Sequence, residues 1–229
     1  AERVGMDRMG RYARMFGLGA PTGLGLNSEV GGFIPTKAWY ARRKQPFLIG
    51  FTLNAAIGQG NTKATPIQIA NLYATIANGG TLYLPQVVER IETASGETVF
   101  DFQPRVRRRI ELSPGTLSAV RAGLEGVVNS PKGTAHTARL DGMRVSGKTG
   151  TAQVSRQVRK GKTVWLGDHA WFAAYAPSDD PVIAVAVLIE HGGAGSSTAG
   201  PIAKEMMLAW LFPEPEVGIC NENEMATAA

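Results

Sequence analysis

The 229 residues are 44% hydrophobic and 19% charged and carry a formal net charge of +5, a balance that suits a globular unit with a real core. No run of about 18 apolar residues occurs, so no segment reads as a membrane-spanning helix. A single cysteine, Cys220, excludes an internal disulfide and a cysteine-based metal site, and His136, His169 and His191 lack metal-ligand spacing, so neither a metal nor a cofactor is expected.

The chain opens on AERVGMDRMGRY, a charged amphipathic stretch unlike a signal peptide and without an initiating methionine. It reads as the middle of a longer protein. A helix is predicted over Arg3 to Phe16, with Val4, Met9, Ala13 and Phe16 as its apolar stripe and Gly17 as its stop. Gly19 to Gln45, rich in Gly and Pro, is predicted to be ordered loop. Thr65 as N-cap, Pro66 at the first helical position and Gly79 beyond the end predict a second helix, with Ile69, Tyr73, Ile76 and Ala77 on one face.

TLYLPQVVERIETASGETVF predicts one β-hairpin turning at Ser95-Gly96. The basic run Arg105 to Arg109 lacks interleaved aromatics and reads as a solvated turn or a weak contact with an anionic surface, not a nucleic-acid site. Ser113-Pro114 starts another helix, with Leu117, Val120, Leu124, Val127 and Val128 at helical spacing. Three strands follow: Arg144 to Val154, HAWFAAYA, and VIAVAVLIE, the last expected to be buried on both faces. The short link PSDD makes the last two antiparallel neighbours. A closing helix, Ala199 to Leu211, carries Ile202, Met206 and Trp210, and the tail over 213–229 is expected to fray.

Within the first of those strands, GMRVSGKT matches the phosphate-loop pattern. That loop needs a buried strand before its first glycine and a helix after Lys-Thr. Here TARLD precedes and GTAQV follows, which argues against it. Lys148 can instead be a lysine protecting a sheet edge. A third reading uses the alternation of a strand: Thr149, Thr151 and Gln153 share one face, Lys148 lies on the other, and Gly147 and Gly150 leave room for a ligand. Such an edge suits an extended, carboxylate-bearing peptide beside an acyl-transfer site. Gly58-Gln59-Gly60 reads as a structural loop, and His191 to Gly195 as a turn shaping the rim.

Four blocks in order, NAAIGQGNTKATPIQIANLYATIANGG, SPKGTAHTARLDG, SGKTGTAQV and IEHGGAGSS, resemble the class B penicillin-binding proteins, and their cell-elongation D,D-transpeptidases most of all. The resemblance covers roughly residues 2–212. It implies an α+β fold of the penicillin-binding protein and serine β-lactamase kind, an antiparallel sheet with helices on both sides, three of its five strands present here. It implies a transpeptidase that cross-links peptidoglycan stem peptides ending in D-Ala-D-Ala, is acylated by β-lactams, works with a cell-elongation glycosyltransferase complex, and is anchored in the inner membrane facing the periplasm. Carried over by position, Lys148 supports proton transfer, and Thr149 and Thr151 hold the substrate carboxylate. The Thr151 backbone N–H forms half of an oxyanion hole, and Gly150 and Gln153 complete the substrate-binding set.

The family's S-x-x-K and S-x-N motifs are missing: none of the ten serines has lysine three residues on or asparagine two residues on. The expectation is therefore a C-terminal part of the domain, inactive alone and completed by its N-terminal half. A relative that binds wall peptides or penicillins without catalysis, and a phosphate-loop protein, are the alternatives.

Overall fold

The computed structural model describes residues 1–154, 157–159, 162–164 and 167–213. The expected frayed tail thus lies almost wholly outside the described residues. The first helix, α1 (Met6–Met15), forms as predicted, but its buried positions are Met6 and Gly10, while Val4 is exposed.

The predicted loop before residue 45 holds a short helix, α2 (Lys37–Arg42), and a further one follows, α3 (Ile49–Ala56). Neither was anticipated. Thr36 caps α2 by accepting from the Trp39 N–H. An aromatic cluster then holds both helices: Tyr40 is buried and stacks on Phe51 at 4.5 Å, with Trp39 and Phe47 edge-on to it. The rest of that segment is an ordered loop, as expected. Buried Gln68 donates to the Ala20 and Gly31 carbonyls at 2.8 Å each, and the Glu29 carboxylate accepts from Thr22 and Gly23. The Thr22 hydroxyl, followed by the loop N–H groups, holds the Glu29 carboxyl below its usual range.

Helix α4 (Pro66–Ala77) carries a full capping box between Thr65 and Gln68. Its last carbonyls, on Ile76 and Ala77, accept from the Arg121 guanidinium at 2.6–3.2 Å.

The single predicted hairpin is in fact split. Strand β1 (Thr81–Tyr83) leaves its sequence neighbours and pairs with β4 (Val106–Arg109), while β2 (Arg90–Glu92) and β3 (Thr98–Asp101) form the hairpin around Gly96. The basic cluster is therefore strand and not turn, and Arg107 donates to the Pro21 and Thr22 carbonyls. Helix α5 (Pro114–Asn129) starts at the Ser113 cap, and its C-terminal half turns Val127 and Val128 to the core.

The central sheet is an antiparallel meander, β5 (Ser146–Ala152), β8 (His169–Ala176) and β9 (Ile183–Ile189), in that spatial order; the small hairpin β6 (Gln157–Arg159) and β7 (Lys162–Val164) branches off between the first two. Phe172, Ala174, Val185 and Val187 face α5 and the last helix, α6 (Ala199–Leu211). The opposite face of β8 and β9 packs on α4. Strand β9 is buried through Val185 and Val187 and half-buried elsewhere, while Val182 before it is exposed. The predicted stripe of α6 is reversed. Ala199, Ala203 and Met207 meet the sheet, because small residues let the helix approach closely, and Ile202, Met206 and Trp210 point outward.

On the α4 face, Tyr73 lies near the fully buried Tyr175, whose hydroxyl has no partner among the described residues. Burial first, and then the neighbouring Tyr175, push the Tyr73 phenol well above its usual range. A raised value means that stability is intact below the unfolded phenol's pKa of about 10 and falls as the pH rises past it. Tyr73→Phe is expected to flatten that alkaline loss, read as urea midpoints on either side of about pH 10.

Candidate active site

Strand β5 lies at the edge of its sheet, and its register fixes what each residue presents. Residues 146, 148, 150 and 152 share a face with Tyr175, Ala173 and Trp171; residues 147, 149 and 151 share one with Ala174, Phe172 and Ala170. Backbone groups of the odd residues point away from β8: the Thr151 carbonyl and the Gln153 N–H meet the Gln59 side chain, from outside the sheet, and the Thr149 carbonyl meets the Lys148 ammonium at the strand's free edge. The N–H of Thr151 shares that outward direction, since a strand residue points both of its groups to one side.

Lys148 sits on the opposite face from the threonines, as strand alternation requires, but its chain bends round the edge. Its ammonium donates to the Thr149 carbonyl at 2.8 Å and to Thr149 Oγ1 at 3.2 Å. Thr149 Oγ1 is in turn 3.4 Å from Thr134 Oγ1. Thr151 and Gln153 are exposed on the threonine face. The edge thus gathers one cation, two strand hydroxyls and an outward N–H, which together can hold a carboxylate and polarise a carbonyl. Lys148-Thr149 lie in mid-strand, with no helix after them, so the phosphate-loop geometry is absent.

The glycines do something other than what was expected of them. A Cβ on Gly147 would come within 2.8 Å of the Phe172 ring and 2.9 Å of Ala174 Cβ, so its missing side chain admits the core and not a ligand. Gly150 is similar: a Cβ would lie 3.1 Å from Trp171 Cβ, and the Gly195 backbone covers its other face. Gly150 shapes the site through packing.

Two contributors were not singled out from the sequence. Thr134 sits in the turn before the 3-10 segment His136–Ala138, whose Thr137 donates to the Ser196 carbonyl at 2.7 Å. Gln59, read as part of a structural loop, donates from Nε2 to the Thr151 carbonyl at 2.9 Å and accepts from the Gln153 N–H at 3.4 Å. The rim turn behaves as expected: the His191 N–H donates to His169 Nδ1 at 2.9 Å, and Gly193 turns at φ 78°. No group of metal-ligating side chains occurs among the described residues. A groove of about 560 Å³ beside Asn129, Asp141 and Arg144 touches none of these edge residues.

The profile of the penicillin binding protein transpeptidase domain matches residues 1–208. The peptidoglycan D,D-transpeptidase MrdA of Haemophilus influenzae is 38% identical over 220 residues, covering 92% of this chain and 34% of the relative. Pseudomonas aeruginosa PBP2, solved with WCK 5153, superposes with a TM-score of 0.76 at 35% identity, covering 93% of this chain and 44% of that one. Penicillin-binding protein A of M. tuberculosis, solved as an imipenem acyl-enzyme complex, gives 0.71 at 27% identity, with 92% and 43% covered. The chain spans about a third of the length of the curated relatives it matches.

Proposed function

Because the chain belongs to the penicillin-binding protein transpeptidase family, in its class B, PBP2/MrdA-type branch, we propose that it forms the substrate-side wall of a serine-type peptidoglycan D,D-transpeptidase. The observation that carries this reading is the open β5 edge, where Lys148, Thr149 and Thr151 converge. A serine from outside these residues attacks the carbonyl of the penultimate D-Ala of a stem peptide. The C–N bond to the terminal D-Ala breaks and an ester forms; the serine proton, relayed past Lys148, leaves on the D-Ala amine. The amine of a neighbouring stem then attacks the ester and restores the serine. Thr149 and Thr151 hold the terminal carboxylate, the Thr151 N–H faces the oxyanion, and Gln153 meets the stem. No metal takes part.

The same reading places the enzyme on the outer side of the inner membrane, held by a segment outside these residues and assembled with a cell-elongation glycosyltransferase. No described helix is long and apolar enough to cross a membrane. Exposed apolar side chains on one face of α6 (Ile202, Met206, Trp210) and along α3 (Ile49, Leu53) suit cover by the rest of the domain.

The test is covalent labelling by a fluorescent penicillin, followed by mass measurement. A polypeptide joining this chain to its S-x-x-K and S-x-N segment is expected to gain one adduct, and the 229 residues alone none. Reversible binding without an adduct in the joined polypeptide would replace this reading with a non-catalytic binder.

A further inference from the structure

The outward edge of β5 is closed at both ends by side-chain amides. At one end Asn129 Nδ2 donates to the Val145 carbonyl at 2.7 Å and Oδ1 accepts from the Val145 N–H at 3.2 Å, over a buried stretch. At the other end Gln59 does the same for the Thr151 carbonyl and the Gln153 N–H, over an exposed one. A primary amide carries one acceptor and a donor, as a peptide group does. An extended ligand paired in antiparallel fashion would put its own N–H on the Thr151 carbonyl when its carbonyl meets the Thr151 N–H, since such a pair exchanges both bonds. Gln59 and that ligand N–H cannot occupy the same oxygen lobe together in full geometry.

We propose that Gln59 is a displaceable rung of the strand edge: it stands in for the ligand's backbone amide and yields to it. The inference rests on the reading of β5 as a peptide-binding edge. Three features favour displacement over fixed support. The second bond is long, at 3.4 Å, while both bonds of Asn129 are shorter. Gly58 and Gly60 flank Gln59 at φ 76° each, a conformation that glycine adopts without strain. The space beside these glycines is also open, with nothing within 4 Å of a Cβ placed on Gly58 and Asn54 Cβ alone, at 3.5 Å, beside one placed on Gly60. Gln59 therefore sets a cost on ligands whose reacting residue carries an N–H, because they alone must displace its bond, and spares those without one.

The experiment uses the polypeptide that includes the S-x-x-K segment and two thioester stem-peptide mimics, one with a free N–H on the reacting residue and one N-methylated there. In Gln59→Ala, kcat/KM for the N–H substrate is expected to rise about 3- to 10-fold, the range of one net hydrogen bond, through KM with kcat unchanged. The N-methyl substrate is expected to stay within about 2-fold of its original value. Gln59→Glu, which cannot donate to the Thr151 carbonyl, serves as the second variant and is expected to shift the ratio the same way. An unchanged ratio in both variants, or an equal fall for both substrates, would overturn the rung and leave the transpeptidase reading intact. Failure of the unmodified polypeptide to turn over either substrate would overturn both.

Discussion

Replacing Lys148 with alanine is expected to slow acylation by a β-lactam about 10²- to 10⁴-fold in the polypeptide that carries the nucleophile, the range typical of losing a positioned proton-transfer group. The ammonium reaches round the strand edge to Thr149, so it stands with the side chains of the exposed β5 edge and outside the core. Folding should be indifferent to it: an exposed side chain with no buried partner changes stability by about 0.5 kcal/mol or less. That separation makes the test sharp. Lys148→Arg keeps the charge but is bulkier and cannot give up its proton, so it is expected to recover carboxylate binding without recovering the rate. Second-order acylation rates with a chromogenic β-lactam, beside melting curves, check both. A wild-type rate in Lys148→Ala would remove Lys148 from the chemistry.

How much of this was legible beforehand depended on how local each cause is. The α4 helix could be read from its letters because its start is set by adjacent residues: Thr65, Pro66 and Gln68 satisfy one another's backbone within one turn. The β5–β8–β9 meander could be read because strand alternation and the short PSDD link act over a few residues. Helices α2 and α3 could not. Helix α2 is one and a half turns long within a Gly- and Pro-rich stretch and α3 only two turns, and what holds them is the Tyr40–Phe51 stack, a contact that exists only after the chain has folded back. The same is true of β1, whose partner Val106–Arg109 lies beyond the hairpin that sequence order suggests.

The site divides along the same line. Lys148, Thr149 and Thr151 are consecutive or alternate on one strand, so their faces follow from its period of two. Gln59 is 92 residues from the carbonyl it meets, and nothing in Gly-Gln-Gly announces that contact. Gly147 and Gly150 illustrate the opposite error: their lack of a side chain was visible, but whether ligand or protein uses the space depended on where Phe172 and Gly195 lie.

That dependence leads to the second large effect. Gly195→Ala is expected to destabilise the fold by about 3 kcal/mol, at the upper end for an overpacking change. A Cβ there would overlap the Trp171 carbonyl oxygen outright and stand 2.6 Å from the Gly150 carbonyl oxygen and 3.1 Å from its nitrogen. These are backbone atoms of two paired strands, fixed by the Gly150–Trp171 register, so no side-chain rotation can relieve the clash. Either the rim turn lifts off, or β5 shifts against β8. Both routes move Thr151, one residue from Gly150, and if its N–H faces the oxyanion as proposed, a displacement of about 1 Å there costs on the order of 10²-fold in rate. Gly193→Ala is a control with a different signature: nothing lies within 4 Å of its Cβ, so its cost is the backbone conformation alone, about 1 kcal/mol at φ 78°. Urea unfolding and acylation rates for the two variants, measured side by side, check the argument. If Gly195→Ala were no more harmful than Gly193→Ala in both measurements, the rim turn would not pack on the strand edge as described.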